Sequence, residues 1–214
     1  MRATSATETV VPVAIAEYEK LGYCHPTGVR PSCVQCRMCA EAIFQRLMGA
    51  WESFLIEVIV DHIEGRPTGH YQPQNAVRKA KYGNRIDATN ALLSTRRNQG
   101  SLTHGGTPAP YLLLHEPSKV ADYISYWMPN TDMEHVFRAN AQTIRNILKV
   151  RHGLSHGTNH AQAELRAVLL GFAPLRTYQS VGEFLLDRPN PTRPDLWIDT
   201  MIDRICSLAI EISP

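Results

Sequence analysis

Long apolar runs are missing from this 214-residue chain. A membrane-spanning helix needs about 18 or more such residues in succession, so no membrane partner is expected. A dominant charge is missing too: 22 Lys+Arg face 20 Asp+Glu, a formal net charge of +2. Any anionic partner must therefore be met by local patches, because the whole surface is not basic. Cysteines are few and odd in number: Cys24, Cys33, Cys36, Cys39 and Cys206. A disulfide-stapled secreted scaffold uses more of them, in pairs. The opening Met1–Thr9 is polar and has no apolar core before a cleavage site. Both features predict a reducing, cytoplasmic location. The chain has no Gly-x(4)-Gly-Lys-Ser/Thr phosphate loop, no dinucleotide fingerprint and no serine-hydrolase elbow. Internal repeats and low-complexity tracts are also lacking, and period-two alternation is scarce.

What is present is helical periodicity on an ordinary globular composition, 43% hydrophobic and 20% charged. Residues 1–31 read as an N-terminal arm with a short helix over Val13–Leu21, followed by a Pro- and Gly-bearing loop. Residues 32–214 read as one helical domain. Its first helix is announced by Ser32-Cys33-Val34-Gln35, an S-x-x-Q capping box in which Ser32 would accept from the Gln35 amide. Ile43, Leu47, Trp51, Phe54, Val58 and Ile59 recur at helical spacing, and Gly65 and Pro67 end the run. A second helical region spans roughly Gln74–Asn98. Glycines and prolines over residues 99–117 predict a long loop, with a short extended piece at Tyr111–Leu114. Further helices are expected at Ser118–Trp127, Asp132–His152, Ala161–Leu170 and Asp195–Ile212. The second of these opens on a second capping box, Thr131-Asp132-Met133-Glu134. The fold class predicted is all-α, an antiparallel helical bundle with elaborated loops.

The chemistry centres on Arg151-His152-Gly153-Leu154-Ser155-His156. The apolar stripe of the helix from Asp132 passes Phe137, Ala141, Ile144 and Leu148, and its next position is Arg151. A guanidinium there must find a partner or open into a cleft, since burying it alone is costly. Asn140 lies close to the same stripe. On a straight helix Arg151 and His156 would be about 140° apart, at 100° per residue. Gly153 and Gly157 predict a helix end or kink that brings them together.

Arg151-His152-x-x-x-His156 resembles the R-x(4–6)-H motif of the HEPN superfamily, in the form that carries Asn, His or Asp after the arginine. Trp51-Glu52 on the first helix is similar to Trp-Glu pairs in some bacterial members. The resemblance implies a HEPN-like bundle that forms a homodimer with two motifs face to face. It also implies a metal-independent endoribonuclease, without cofactor, of the toxin–antitoxin or phage-defence type, with an antitoxin or defence-system protein as a possible partner. In that role His156 is general base or acid and Arg151 holds the phosphate, with His152 assisting. Glu52 and Asn140 are supporting residues, and Glu52 or Glu57 is a candidate ion-pair partner for Arg151. Arg78, Lys79, Lys81, Arg85, Arg96 and Arg97 would track RNA phosphates; without RNA they are a solvated helix face. One position departs from the family: a subgroup has Tyr two residues after the motif histidine, where this chain has Thr158, so modification by that route is not expected.

Other readings stay open on the residues alone. The same pocket could serve a non-catalytic module that binds RNA, a nucleotide or a partner protein. His152, His156 and His160, at i, i+4 spacing, could be metal ligands on one helix. Cys33, Cys36 and Cys39 could hold zinc, although on the opening turns of a helix they fan around the axis over about 120°.

Overall fold

A computed structural model of the chain describes residues 33–64, 84–86, 89, 103–104, 107–108, 117–127, 131–156, 158–190, 192 and 194–212. The expected N-terminal helix, the extended piece at Tyr111–Leu114 and most of the second helical region lie outside these residues. The fold is all-α. Among the described residues, seven helices run in the order α1 (Val34–Glu64), α2 (Pro117–Trp127), α3 (Asp132–Ala139), α4 (Ala141–Ser155), α5 (Asn159–Phe172), α6 (Val181–Leu185) and α7 (Trp197–Ile212). A two-residue antiparallel ladder, β1 (Thr103–His104) with β2 (Thr107–Pro108), sits within the expected long loop.

The chain divides into two compact units, and α1 runs through both. In the first unit, which takes Glu52–Ala141 and both chain ends, Phe54, Leu55, Val58 and Ile59 of α1 are buried, as are Val120, Ala121 and Ile124 of α2. Met133 and Phe137 of α3 are buried too, and α2 packs against α3. Thr131 caps α3, accepting from the Glu134 amide at 3.3 Å as the capping box requires. Glu134 in turn accepts from Arg138 at 2.9 Å, and Arg138 reaches Asp122 of α2 at 3.2 Å.

The second unit takes Ala6–Trp51 and Gln142–Ala209. Cys36, Ala40, Ile43, Phe44, Leu47, Met48 and Trp51 of α1 are buried there, with Ile144, Ile147 and Leu148 of α4 and Ile198, Met201, Ile205 and Leu208 of α7. Ile43, Leu47 and Trp51 of α1 and Ile144 and Leu148 of α4 are among the positions read from periodicity, and such burial is what makes each helix stable in this context. Phe172, Phe184 and Trp197 form an aromatic stack in the same unit. Phe184 lies 5.2 Å from Trp197, nearly parallel, and Phe172 lies 5.2 Å from Trp197, tilted.

Four local expectations are corrected. The helix foreseen over Asp132–His152 is two helices, because Asn140 ends α3. Its backbone amide closes the last helical bond to the Val136 carbonyl, and its side-chain amide donates to the same oxygen at 3.0 Å, a local bond that competes with continuing the helix. The start of α1 falls at Val34: Cys33 caps it, its Sγ accepting from the Cys36 amide at 3.4 Å, while Ser32 lies outside the described residues. Helix α5 starts at Asn159 because Thr158 caps it, accepting from the Ala161 amide at 3.3 Å. Helix α6 was not foreseen, although Ser180-Val181-Gly182-Glu183 is a capping-box pattern. Ser180 accepts from the Glu183 amide at 3.1 Å, and the Glu183 carboxylate accepts from Gln179 at 2.8 Å.

Candidate functional site

The candidate motif occupies the last turn of α4. Gly153 does not kink the helix. The His156 amide still donates to the His152 carbonyl at 3.0 Å, so the helical ladder runs through Gly153 and closes only after Ser155. Gly153 serves packing: a Cβ there would lie 2.7–3.0 Å from the Leu165 side chain, so its absence lets α5 come close to α4. The expected distortion that would join Arg151 to His156 is therefore replaced by a regular helix end.

A regular ladder joins a different pair. His152 and His156, at i, i+4, meet with ring centroids 4.4 Å apart and planes at 52°. Burial and the neighbouring His156 hold the His152 imidazole below its ordinary value of 6.5, with Arg151 and His160 acting in the same sense. Glu164 opposes them. His152 is thus a neutral base at pH 7, half-buried, beside an exposed His156.

Lys149 and Glu164 border the pair. Lys149 Nζ meets Glu164 at 3.0 Å, linking α4 to α5, and His160 Nε2 lies 3.7 Å from the same carboxylate. The hydrogen bond from Lys149 holds the Glu164 carboxyl below its usual range. His160 belongs to α5, so the three histidines do not line one helix. Among the described residues, no three His, Cys, Asp or Glu side chains converge as a metal site. Cys206 is a free thiol.

Arg151 is half-buried, on the face of α4 that also carries Ile144 and Leu148. Ser155, one turn on, donates to the Arg151 carbonyl at 3.2 Å and accepts from Gln45 of α1 at 3.0 Å. Arg151 therefore sits about 100° around the axis from His152 and about 140° from His156. Glu52 is half-buried on α1, and Asn140 is the joint between α3 and α4; both belong to the first unit.

Of the six basic residues expected to follow RNA, only Arg85 is described. It is committed to carboxylates of α1, pairing with Asp61 at 2.6 Å and with Glu57. The pairing of Glu57 thus goes to Arg85, where the sequence had left it open toward Arg151. Arg78, Lys79, Lys81, Arg96 and Arg97 lie outside the described residues. Sequence reasoning missed His62, which is buried on α1 with Nδ1 2.8 Å from the Val58 carbonyl. Its place at i, i+4 from Val58 on a buried face was the available signal. Also missed was Tyr178, whose hydroxyl donates to Asp187 at 2.8 Å, with Arg176 on the same carboxylate. Burial and that carboxylate push Tyr178 up to about 12.

The chain matches no family model, no curated protein and no solved structure.

Proposed function

We propose that this chain is a metal-independent endoribonuclease in which His152 and His156 move the protons. The observation that carries this reading is the pair of imidazoles 4.4 Å apart at the open end of α4, one of them depressed in pKa and neutral at pH 7. Phosphodiester cleavage without a metal needs such a pair, one group to take a proton and one to give it.

His152 takes the proton from the ribose 2′-OH, and the 2′-oxygen attacks phosphorus. His156, protonated, delivers its proton to the 5′-oxygen as the P–O5′ bond breaks. A 2′,3′-cyclic phosphate and a 5′-OH leave, and the protons return through solvent. The Arg151 guanidinium adds positive charge beside the pair for the phosphorane oxygens. His156 thereby takes the acid role among the two that the motif allows, and His152, expected to assist, takes the base role because it is the more buried. The HEPN-like arrangement, the homodimer, the toxin or phage-defence setting, an antitoxin partner and the cytoplasmic location all rest on the resemblance in the motif.

The test is purified protein incubated with a panel of RNAs in EDTA. Cyclic-phosphate ends are expected, with His152→Ala and His156→Ala each slower by roughly 10²–10⁴-fold. Intact RNA, or undiminished cleavage by either variant, overturns the proposal. Intact RNA together with tight RNA or nucleotide binding would instead place the chain among non-catalytic binding modules.

A further inference from the structure

A cleft of about 360 Å³ lies on another face of the second unit. Leu154, which lines it, is two residues from both His152 and His156, so it points about 160° away from each around the helix axis. The cleft is therefore separate from the imidazole pair. Its volume is in the range of sites for small molecules, which begin near roughly 300 Å³. Leu165, Leu169 and Val181, each almost fully buried, supply an apolar floor.

The walls are rigid for a reason seen in the glycines. A Cβ on Gly182 would lie 2.5 Å from the Arg37 carbonyl oxygen, so α6 is pressed directly onto the α1 backbone. The Gly182 amide donates to Glu41 Oε1 at 2.7 Å, which fixes that carboxylate at the cleft edge. On the other side, Gly153 admits Leu165 against α4.

Most polar groups of the lining already have partners. The Tyr178 hydroxyl serves Asp187, and the Ser180 hydroxyl serves the Glu183 amide. The Gln162 amide nitrogen donates to the carbonyls of Gly153 at 2.9 Å and His156 at 3.5 Å, which sets the orientation of its side chain. Four groups of the lining are left over among the described residues: the Arg166 guanidinium, the second oxygen of Glu41, the Gln162 carbonyl oxygen and the Gln179 carboxamide. The cleft thus offers one cationic donor, one anionic acceptor and neutral amide groups above an apolar floor.

We propose that this cleft binds a small zwitterion with an apolar side chain, an α-amino acid or dipeptide. Its carboxylate pairs with Arg166, in the geometry guanidinium groups favour. Its ammonium, with three donors, meets Glu41 and Gln162. Its side chain covers Leu165, Leu169 and Val181. A purely anionic ligand would leave Glu41 facing like charge, and a purely cationic one would leave Arg166 unused.

The test titrates the full chain with L-leucine, L-phenylalanine and leucyl-leucine, read by calorimetry and by methyl NMR. N-acetyl-leucine, which lacks the ammonium, and leucinamide, which lacks the carboxylate, are run in parallel. At least one zwitterion is expected to bind at millimolar concentration or tighter and to shift the methyls of Leu165, Leu169 and Val181. Blocking either end is expected to weaken binding at least about tenfold. Arg166→Gln should abolish the penalty for amidation, and Glu41→Gln, which keeps an oxygen for the Gly182 amide, should abolish the penalty for acetylation. Absence of binding by all three zwitterions overturns the proposal, as do blocked forms that bind equally well or shifts that fall elsewhere. RNA cleavage is no readout here, so the outcome is independent of the ribonuclease reading.

Discussion

His152 shows how a single residue acquires character that spacing cannot assign. All three histidines of the segment look alike in sequence, yet only His152 is half-buried, with His156 against it. Desolvation and a positive neighbour both disfavour the imidazolium, so its pKa falls below 6.5. Removing the neighbour leaves burial in place. His156→Gln is therefore expected to raise the His152 pKa part of the way toward 6.5, whereas Glu164→Gln, which removes a stabilising negative charge, is expected to lower it further. A pH series of imidazole NMR spectra measures both, and movement in the opposite direction would show that the pair is not coupled as drawn.

At the scale of elements, two glycines decide how closely helices approach. Gly153 faces a side chain, and Gly182 faces backbone. A leucine can shift by a few tenths of an ångström, but a carbonyl held in the first turn of α1 cannot without moving the helix. Gly153→Ala is expected to cost about 1–2 kcal/mol, and Gly182→Ala about 3 kcal/mol or more, in urea unfolding. Equal costs, or none, would contradict the close approach. Caps show the same logic at lower stakes: Thr158→Ala should cost about 1 kcal/mol and fray the turn that carries His160. Capping boxes were the most legible local signals, correct at Thr131 and present unread at Ser180. The break at Asn140 was less legible, because an asparagine within a continuous apolar stripe looks like any polar residue of a helix.

For the whole molecule, acid should destabilise. His62 is buried, and burial lowers its pKa despite the Val58 carbonyl and Asp61. The unfolded chain, with its histidines near 6.5, then binds protons more readily than the folded one. Stability contributed by a neutral His62 is fully present above pH 6.5 and is lost as pH falls from there through the folded-state value. His152 acts in the same sense. Urea midpoints are expected to decline from pH 7 to pH 5, and His62→Gln should flatten that slope even if it lowers stability at pH 7. A midpoint that rises on acidification would refute this.

The sequence by itself determined the helical class, the stripes that face the cores, and the place of the histidine motif at a helix end. These follow from periodicity, capping and glycine placement, which act over a few residues. Which histidine has its pKa depressed was decided by tertiary structure, because desolvation depends on burial that spacing does not give. The same holds for Arg85, drawn from an expected phosphate track into a pair with Glu57 and Asp61. It holds also for the cleft between Glu41 and Arg166, whose walls come from segments far apart in the chain and meet where Gly182 lets α6 approach the α1 backbone and Gly153 admits the Leu165 side chain.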